Sequence, residues 1–491
     1  NIRIVIQMGE IKMKSYERFI SKQEIEKIHE YSLKILSEIG MRFEHEGALE
    51  VFKKHGARVE GQTVFIDEKM VTETLKYAQR SFTVKSCKGD LEIGSGKQYN
   101  GAIGGNVYCH YPDGVIRKMS NEDTLNQFKL EDTSDMLDFG TINYFQDYSK
   151  GFTLDQKIFS NIALILKYGH KPLFLTTANT FALSDKKEIK KAFEKSVQLL
   201  NDFEGNDAVH NVYILNTLSP LTMDHDPLDR VFVLCEANQG IMFAPCAMPL
   251  MTAPPSIASM VAMTNAEVLG GYVLAKLLNP DVPVVYGNTS GATDMRTVQL
   301  SIGAPECALV VYATAGLADY YGMPFRTGGS LSDAKDADIQ AGAESMMMIT
   351  ATQDVNADIV LHACGCMGSF NVTDFRKFLI DEEIQRMNQR LFAGIDCSDE
   401  KFCMDALKKV GPRGAFLTGR TPKMYREEVY LAKYFNKDDP NQWQNKGSVS
   451  VVDIAQQDVE KRLASYTPPE ITKEQNDLLQ PYLPDAYKEM I

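Results

Sequence analysis

The sequence predicts an α/β protein, namely a (β/α)8 TIM barrel with an N-terminal helical preface and a C-terminal helical extension. From about residue 102, a short apolar strand alternates with a helical stretch of a dozen or more residues, and this unit occurs eight times. Strict alternation favours parallel strands that are joined by right-handed crossovers. Eight such units close a barrel, whereas a doubly wound open sheet is the alternative.

The preface is predicted to span residues 13–100. Ser21 to Glu24 matches a capping box, and the apolar residues between Ile25 and Leu36 follow it near helical spacing. Shorter helical stretches are predicted around 45–56 and 67–79, and β-like stretches at 82–84 and 91–93.

The barrel is predicted to span residues 101–395. Its strands are predicted at 103–108, 140–146, 172–178, 211–217, 241–246, 283–288, 321–327 and 359–363. The helices that follow them are predicted at 121–137, 153–168, 184–203, 226–239, 256–278, 304–319, 336–355 and 373–392. Helix starts are supported by N-cap serines and early prolines, at Ser120, Ser184, Ser256, Pro227 and Pro305. Gly104 and Gly105 are poor interior residues for the first strand.

The third region, residues 396–491, is rich in proline and is predicted to be mixed helix and loop. We expect this C-terminal extension to pack on the barrel and to contribute to the contacts of a homo-oligomer.

Composition excludes several classes of function. The chain of 491 residues has a formal net charge of −13 and no long basic run, so we expect no nucleic-acid partner. No stretch approaches the roughly 18 uninterrupted apolar residues of a membrane span, so we expect no membrane partner. The nine cysteines are an odd number without a disulfide pattern, which favours a reducing cytoplasm.

The predicted site lies where barrel enzymes carry their chemistry, at the carboxyl ends of the strands and in the loops that follow. These positions hold Asn106, Tyr108, Tyr111, Tyr144, Phe145, Gln146, Asn179, Asn216, Ser219, Met248, Met251, Tyr286, Asn288, Phe325, Arg326, His362 and Phe370. Amides and aromatic rings dominate, and no Ser-His-Asp arrangement or facing carboxylate pair is present. The site is therefore predicted to hold a molecule rather than to move protons.

Arg326 is the first candidate for a ligand contact, because an arginine can hold a carboxylate or a phosphate with two parallel hydrogen bonds. The alternative is a structural ion pair with Asp333 or Asp336. The Gly-Gly-Ser loop at 328–330 follows the predicted seventh strand, where barrels often bind phosphate through backbone N–H groups. An ordinary tight turn is the alternative there.

His362, Cys364 and Cys366 raise the question of a metal site. Their spacing places them on one face of a strand, but they offer only three ligands, and tetrahedral zinc sites usually draw on a second cluster. We predict no metal here and expect His362 to donate a hydrogen bond to substrate.

Aromatic residues near the strand ends could bind a quaternary ammonium by cation–π attraction. The candidates are Tyr108, Tyr111, Tyr144, Phe145, Tyr286 and Phe370. Core packing is the alternative for any single ring, and we expect at least two to line a pocket.

With these residues in place, the sequence resembles the trimethylamine methyltransferase family, the corrinoid-dependent methyltransferases, over nearly the whole chain. The resemblance is carried by the stretch from Gly322 to Glu344, by Tyr286-Gly-Asn288 and by the run from Asn216 to Pro220. It implies a barrel that moves a methyl group from an amine to the Co(I) of a corrinoid (cobalamin) held by a partner protein. The founding members carry pyrrolysine and this chain shows none, which implies a quaternary amine such as glycine betaine, proline betaine or carnitine.

The resemblance also implies roles for the strand-end residues. Co(I) is a strong nucleophile and a tertiary amine leaves without being protonated, so no residue is expected to be catalytic by proton transfer. We expect Arg326 and His362 to bind a substrate carboxylate, and Phe370 with Tyr108 or Tyr111 to bind the ammonium. Asn216 is a further substrate candidate, and the candidates for the corrinoid edge are Asn179, Asn288, Gly328, Gly329 and Ser330.

Two other readings stay open at this point. One is a zinc-dependent barrel methyltransferase that uses His362, Cys364 and Cys366 as ligands. The other is a non-catalytic protein that binds a betaine or a corrinoid in the same pocket.

Overall fold

The computed structural model describes residues 14–141, 143–149, 151–417 and 419–485. The first residue of the predicted preface and residues 486–491 of the predicted extension lie outside the described residues. The described residues form an α/β fold in which a curved parallel sheet is surrounded by helices.

The preface alternates short helices with short strands. Its helices are α1 (Lys22–Lys34), α2 (Glu46–Lys54) and α3 (Glu68–Leu75), and its strands are β1 (Met41–Phe43), β2 (Arg58–Glu60), β3 (Thr63–Phe65), β4 (Phe82–Val84) and β5 (Leu91–Ile93). The predicted capping box is confirmed, since the Ser21 side chain accepts from the Glu24 N–H while the Glu24 carboxylate accepts from the Ser21 N–H.

The described residues between 99 and 392 form thirteen further strands and eight long helices. The strands are β6 (Tyr99–Asn100), β7 (Tyr108–His110), β8 (Ile116–Lys118), β9 (Val212–Leu215), β10 (Thr222–Met223), β11 (Gly240–Phe243), β12 (Val284–Gly287), β13 (Ala292–Asp294), β14 (Gln299–Ser301), β15 (Phe325–Gly328), β16 (Ile359–Leu361), β17 (Cys366–Met367) and β18 (Val372–Thr373). The helices are α4 (Asn121–Asp132), α5 (Leu154–Tyr168), α6 (Lys186–Glu204), α7 (His225–Glu236), α8 (Ile257–Leu278), α9 (Pro305–Tyr321), α10 (Ile339–Asp354) and α11 (Phe375–Phe392). All eight helices coincide with predicted ones, with ends that differ by a few residues.

Six strands form the central parallel sheet, in the order β6-β16-β15-β12-β11-β9. Between its two edge strands lie the segments that were predicted as strands two and three. Gly140 forms a parallel bridge with Leu173, and the Asp138 N–H donates to the Asn100 carbonyl over 2.8 Å. On the other side, the Leu175 N–H donates to Asn211 Oδ1 over 2.8 Å. The sheet is therefore barrel-like, with its edges linked through these two segments.

Four strand predictions are corrected. The first strand is β6 at Tyr99–Asn100 and not 103–108, because the chain turns at Gly104 and Gly105 and next forms the hairpin of β7 and β8. The predicted strands 140–146 and 172–178 are reduced to the single bridge between Gly140 and Leu173. The predicted seventh strand starts at Phe325 and not at 321, because α9 continues to Tyr321.

The helix starts that we predicted from cap residues and prolines agree with the structure, with one exception. Ser120 and Ser256 cap α4 and α8, and Pro305 is the first residue of α9. Ser184 is not a cap, because Asp185 accepts from two N–H groups at the start of α6 and so takes that place.

Among the described residues, α8 is the one helix that is long and apolar enough to cross a membrane. Most of it is buried in the interior, including Glu267 and Lys276, as expected of a central core helix.

The C-terminal extension packs back on the barrel. It contains α12 (Met404–Val410), α13 (Lys423–Glu428), α14 (Pro440–Asn445), α15 (Val451–Ser465) and α16 (Lys473–Leu479). Arg462 on α15 forms an ion pair with the buried Glu382 on α11, with a nitrogen–oxygen distance of 2.9 Å. Leu479 and Leu483 are buried in a cluster with residues of α5.

Candidate functional site

A cavity of about 770 Å³ lies at the carboxyl ends of the central strands. Its polar and aromatic lining includes Asn106, Asn143, Tyr144, Tyr148, Asn179, Phe181, Asn216, Cys246, Thr289, Arg326, His362 and Phe370. No Asp or Glu is among the described residues that line it, and Arg326 is its one permanently charged side chain. The described lining therefore has a positive formal charge, whereas the chain as a whole is acidic.

Arg326 lies on β15 and is buried, yet its Nε and Nη1 have no hydrogen-bond partner among the described residues. Burial lowers the pKa of Arg326 to about 10, so the side chain stays protonated at neutral pH. The predicted alternative of an ion pair with Asp333 or Asp336 is wrong. Asp333 accepts instead from the hydroxyls of Ser301 and Ser369. A buried cation without a partner is unfavourable until an anion arrives.

His362 follows β16 and lines the cavity beside Arg326. Burial, and secondarily the charge of Arg326, lowers the pKa of His362 to about 3, so its ring is neutral at physiological pH. The ring packs on Phe370 with 4.8 Å between centroids, and its Nδ1 has no partner among the described residues. A neutral imidazole of this kind offers one N–H to a ligand.

Three residues that line this cavity have strained backbone conformations. His362, Phe370 and Leu175 all line the cavity and have φ values of 57°, 74° and 57°. Side chains other than glycine rarely adopt this left-handed conformation, and such strain is characteristic of functional sites. The chain holds His362 and Phe370 against the cavity despite this strain.

Aromatic rings line the cavity wall formed by the loops that follow the bridging segments. The rings of Tyr144 and Phe181 meet edge to face at 6.1 Å, and Asn179 donates to the Tyr148 hydroxyl over 2.9 Å. Phe181 is 88% exposed, which places its ring on the rim. Sequence reasoning missed Phe181, although it lies two residues after the predicted candidate Asn179.

Tyr108 and Tyr111 do not line this cavity. Tyr108 lies on the hairpin strand β7, and Tyr111 donates its hydroxyl to Asp123 over 2.5 Å. The four-residue error in the first strand explains this, because the hairpin carries both rings away from the end of β6. Phe145 lines the cavity and packs on Phe152, and Tyr286 is fully buried in the core.

The predicted amides divide into two groups. Asn179 and Asn216 line the cavity, whereas Asn288 donates to Thr264 over 3.2 Å and borders a small adjacent void. Sequence reasoning missed Asn143, whose side chain donates to Asn106 over 2.6 Å and accepts from the Gly105 N–H over 2.6 Å. That pair fixes the loop that replaces the predicted first strand.

The loop of Gly328, Gly329 and Ser330 is tightly packed. A Cβ on Gly329 would lie 2.5 Å from the Cα of Ala363, so the glycine permits the two loops to touch. Ser330 is fully buried, and its carbonyl accepts from Lys377. These three residues pack beneath the cavity and are not among its lining residues.

His362, Cys364 and Cys366 do not form a group that could hold a metal ion within the part of the chain that the structure describes. Both thiols are fully buried, burial raises their pKa values, and Cys364 accepts from Gln385 over 3.1 Å. The one such group in the described ranges is His45, His225 and Asp229, outside the cavity.

The chain can be compared with known proteins at this point. The model of the trimethylamine methyltransferase (MTTB) family matches residues 6–490. The proline betaine:corrinoid methyltransferase of Eubacterium limosum is 38% identical over 484 residues, 96% of this chain and 98% of that protein. The L-carnitine:corrinoid methyltransferase of Eubacterium limosum is 34% identical over 478 residues, 96% and 98% of the two chains.

A third relative is the glycine betaine methyltransferase of Desulfitobacterium hafniense (strain Y51), which is 34% identical over 481 residues, 96% of this chain and 97% of that protein. Among solved structures, the Methanosarcina barkeri monomethylamine methyltransferase aligns with 10% identity and a TM-score of 0.43, over 96% of this chain and 93% of that one.

Proposed function

The chain belongs to the trimethylamine methyltransferase family, and we propose that it transfers a methyl group from a betaine-type quaternary amine to the Co(I) of a corrinoid protein. The observation that carries the proposal is Arg326, a buried cation that has no partner for its Nε and Nη1 among the described residues and that faces a cavity lined by no described carboxylate. The relatives named for proline betaine, carnitine and glycine betaine have substrates that share a carboxylate and a quaternary nitrogen.

Arg326 and His362 bind the substrate carboxylate in this proposal. The unpartnered Nε and Nη1 of Arg326 lie on different edges of the guanidinium, and on either edge Nη2 completes a pair of parallel donors for one carboxylate. The neutral His362 ring adds a further donor. Because the cavity is positive without substrate, it repels a cation that has no carboxylate of its own. The arrangement therefore selects a zwitterion over trimethylammonium or choline.

The aromatic wall binds the quaternary nitrogen. Tyr144, Phe181 and Phe370 line the cavity, and a methylated ammonium is attracted to the faces of such rings. Tyr108 and Tyr111, which the sequence suggested for this role, lie outside the cavity and are not assigned to it.

The reaction needs position rather than proton transfer. The corrinoid supplies a Co(I) nucleophile, the methyl carbon forms a bond to cobalt, and the electron pair of the broken carbon–nitrogen bond stays on the departing tertiary amine. No proton moves, which agrees with a cavity whose described lining has no carboxylate and with a histidine that is already neutral. The protein contributes alignment and removal of water from the cation.

The corrinoid stays on a separate protein in this proposal, and the chain itself needs no pyrrolysine. Asn179 and Asn216 line the cavity and are candidates for contact with the corrinoid or the substrate. Asn288, Gly328, Gly329 and Ser330 lie beneath the cavity and support its walls. Exposed apolar side chains on the strand-end loops, such as Phe181 and Leu218, give the partner protein a surface to contact.

We also propose the finer architecture that the sequence predicts. The two segments joined by the Gly140–Leu173 bridge complete an eight-stranded barrel between β6 and β9. The regions 13–100, 101–395 and 396–491 are its preface, barrel and extension. All nine cysteines are free thiols, which supports a reducing cytoplasm.

The test uses reduced Co(I) cobalamin, or a cognate corrinoid protein, and the absorbance change that accompanies methylation of cobalt. We expect turnover with glycine betaine, proline betaine or carnitine and none with choline or trimethylamine. Arg326→Ala should abolish turnover, whereas Arg326→Lys, which keeps the charge but loses the two-pronged geometry, should retain part of it. Saturable betaine binding without methyl transfer to any corrinoid would identify a binding protein instead.

A further inference from the structure

The cavity contains a second pair of polar groups without partners, away from Arg326. Asn161 on α5 and Thr177, in the loop that follows the Gly140–Leu173 bridge, both line the cavity. Asn161 is 3% exposed, and neither its Oδ1 nor the Thr177 Oγ1 has a hydrogen-bond partner among the described residues. Because buried polar groups in proteins are almost always hydrogen-bonded, two such exceptions in a cavity wall indicate a place for a ligand.

The orientation of the Asn161 side chain is fixed by its neighbour. Asn161 Nδ2 donates to the Thr177 carbonyl over 2.7 Å, so turning the amide would place two acceptors together, and Oδ1 stays the free atom. The loop is held in turn by Asn211, which accepts from the Leu175 N–H and donates to the Thr176 carbonyl, both over 2.8 Å. The wall therefore offers one fixed acceptor, from Asn161, beside one hydroxyl, from Thr177.

This pair lies across the cavity from the charged residues. The loop that carries Thr177 is next to β9, and the segment of Gly140 links it to β6. From this loop, β9, β11 and β12 lead to β15 in one direction, and the segment of Gly140, β6 and β16 lead to β15 in the other. A cavity of about 770 Å³ is of the size that holds a drug-sized ligand, so a small betaine at Arg326 on β15 leaves the opposite wall to another molecule.

The chemistry of the two groups defines what they can bind. Asn161 Oδ1 requires an N–H or O–H donor, which excludes a carboxylate and a quaternary nitrogen, the two polar groups of glycine betaine. A primary carboxamide fits both groups, because its N–H donates to Asn161 and its carbonyl accepts from the Thr177 hydroxyl. The corrin ring of a corrinoid carries side chains that end in primary carboxamides around its rim. The pair is therefore complementary to the edge of a corrinoid and not to the betaine.

We propose that Asn161 and Thr177 form a subsite for a side-chain carboxamide of the corrinoid. The subsite rests on the proposed methyl transfer, since that reaction is what brings a corrinoid to the cavity. No bond is made or broken there. The subsite holds the ring by one edge while Arg326 holds the betaine from the opposite wall, and the two contacts together align the cobalt with the methyl carbon.

The experiment measures methylation of free Co(I) cobalamin at saturating glycine betaine, a substrate that has no hydroxyl group. Thr177→Val keeps the shape of the side chain and removes the hydroxyl, and loss of that hydrogen bond should raise the KM for cobalamin about fivefold. Thr177→Ser keeps the hydroxyl and should stay near the wild-type KM. Asn161→Leu should raise the KM at least as far as Thr177→Val. In all three variants the Kd for glycine betaine, measured by calorimetry without corrinoid, should stay at the wild-type value.

Thr373→Val is the matched control. The Thr373 Oγ1 is also buried and has no partner among the described residues, but Thr373 is not among the residues that line the cavity. Its KM for cobalamin should equal that of the wild type. An unchanged KM in Thr177→Val, or an equal rise in Thr373→Val, would overturn the subsite.

Two further results would assign the pair to another ligand and so overturn the subsite. If Thr177→Val weakens binding of carnitine, which has a hydroxyl, and leaves the KM for cobalamin unchanged, the pair binds substrate. If the effect appears only with a corrinoid protein and not with free cobalamin, the pair contacts the polypeptide of that protein. A wild type that methylates the corrinoid protein but not free cobalamin would overturn the subsite alone, whereas one that methylates neither would overturn the proposed reaction and the subsite with it.

Discussion

Arg326 on strand β15 and Lys377 on helix α11 are two buried cations, each 2% exposed, and they differ in their partners. The Lys377 ammonium contacts Asp381 at 2.7 Å, the Ser345 hydroxyl at 2.8 Å and the Ser330 carbonyl at 3.2 Å. Arg326 has two nitrogens without any partner among the described residues. A satisfied buried charge holds structure together, whereas an unsatisfied one that faces a cavity is available to a ligand.

The comparison also explains what surrounds the site. Lys377 joins the loop after β15 to α11, and Asp381 accepts from the Gly365 N–H over 2.8 Å in the loop after β16. Both loops are therefore hydrogen-bonded to α11. This support keeps Arg326 and His362 in place without touching either side chain.

The largest expected effect on stability separates the two cations. Lys377→Met leaves Asp381 buried without its partner, and we expect the free energy of unfolding to fall by about 3 kcal/mol. Arg326→Met removes a buried charge that had no protein partner, so we expect no loss and a gain of up to about 1 kcal/mol. Urea unfolding monitored by circular dichroism measures the free energy of unfolding of both variants. Equal losses in the two variants would mean that the two cations do not differ in their contribution to stability.

A smaller effect is expected at the aromatic wall. Tyr144→Leu removes a ring that lines the cavity, and a cation–π contact of about 1 kcal/mol corresponds to roughly a fivefold rise in the KM for the betaine. Tyr108→Leu is the control, since Tyr108 lies outside the cavity, and its KM should match the wild type. If the KM for the betaine rises only in the Tyr108 variant, Tyr108 binds the ammonium, as the sequence suggested.

The smallest effect concerns pH. Because burial places the pKa of His362 at about 3, the ring carries no charge from about pH 5 upward, and betaine binding should be flat from there to about pH 9. Binding should weaken above the pKa of Arg326 at about 10, where the free site loses its charge. Calorimetric titration across this range checks both limits, and a transition near pH 6.5 would mean that His362 titrates normally.

The same pKa has a consequence for folding. His362 in the unfolded chain takes up its proton near pH 6.5, whereas in the folded chain it does so only near pH 3. Between these values the unfolded state binds more protons, so the contribution of His362 to stability decreases as the pH falls through this window.

Much of the fold was predictable from the sequence because helices have strong local signals. The predicted capping box at Ser21, the predicted N-cap Ser120 and the proline that starts α9 mark the starts of their helices within a residue. The first strand was not predictable in the same way, since β6 is two residues long and owes its place to pairing with β16. Local sequence carries no record of such a distant partner.

The candidate site shows the same difference between what local sequence predicts and what depends on tertiary contacts. Arg326 lies on β15 and His362 follows β16, so both line the cavity, and their contact with the substrate stays a prediction. Tyr108 and Tyr111 were placed with the ligand because the first strand was set too late. Phe181 and Asn143 were missed because they lie in irregular segments, where a side chain's direction depends on tertiary contacts.

The central claim is that Arg326 binds the carboxylate of the substrate, and direct binding tests it without any corrinoid. Isothermal titration of the wild type should show saturable binding of glycine betaine, proline betaine or carnitine and no binding of choline at the same concentrations. In Arg326→Ala, loss of about 3–4 kcal/mol should weaken betaine binding several hundredfold and so abolish the preference over choline. Equal affinity of the wild type for choline and the betaines, or unchanged betaine affinity in Arg326→Ala, would contradict the claim.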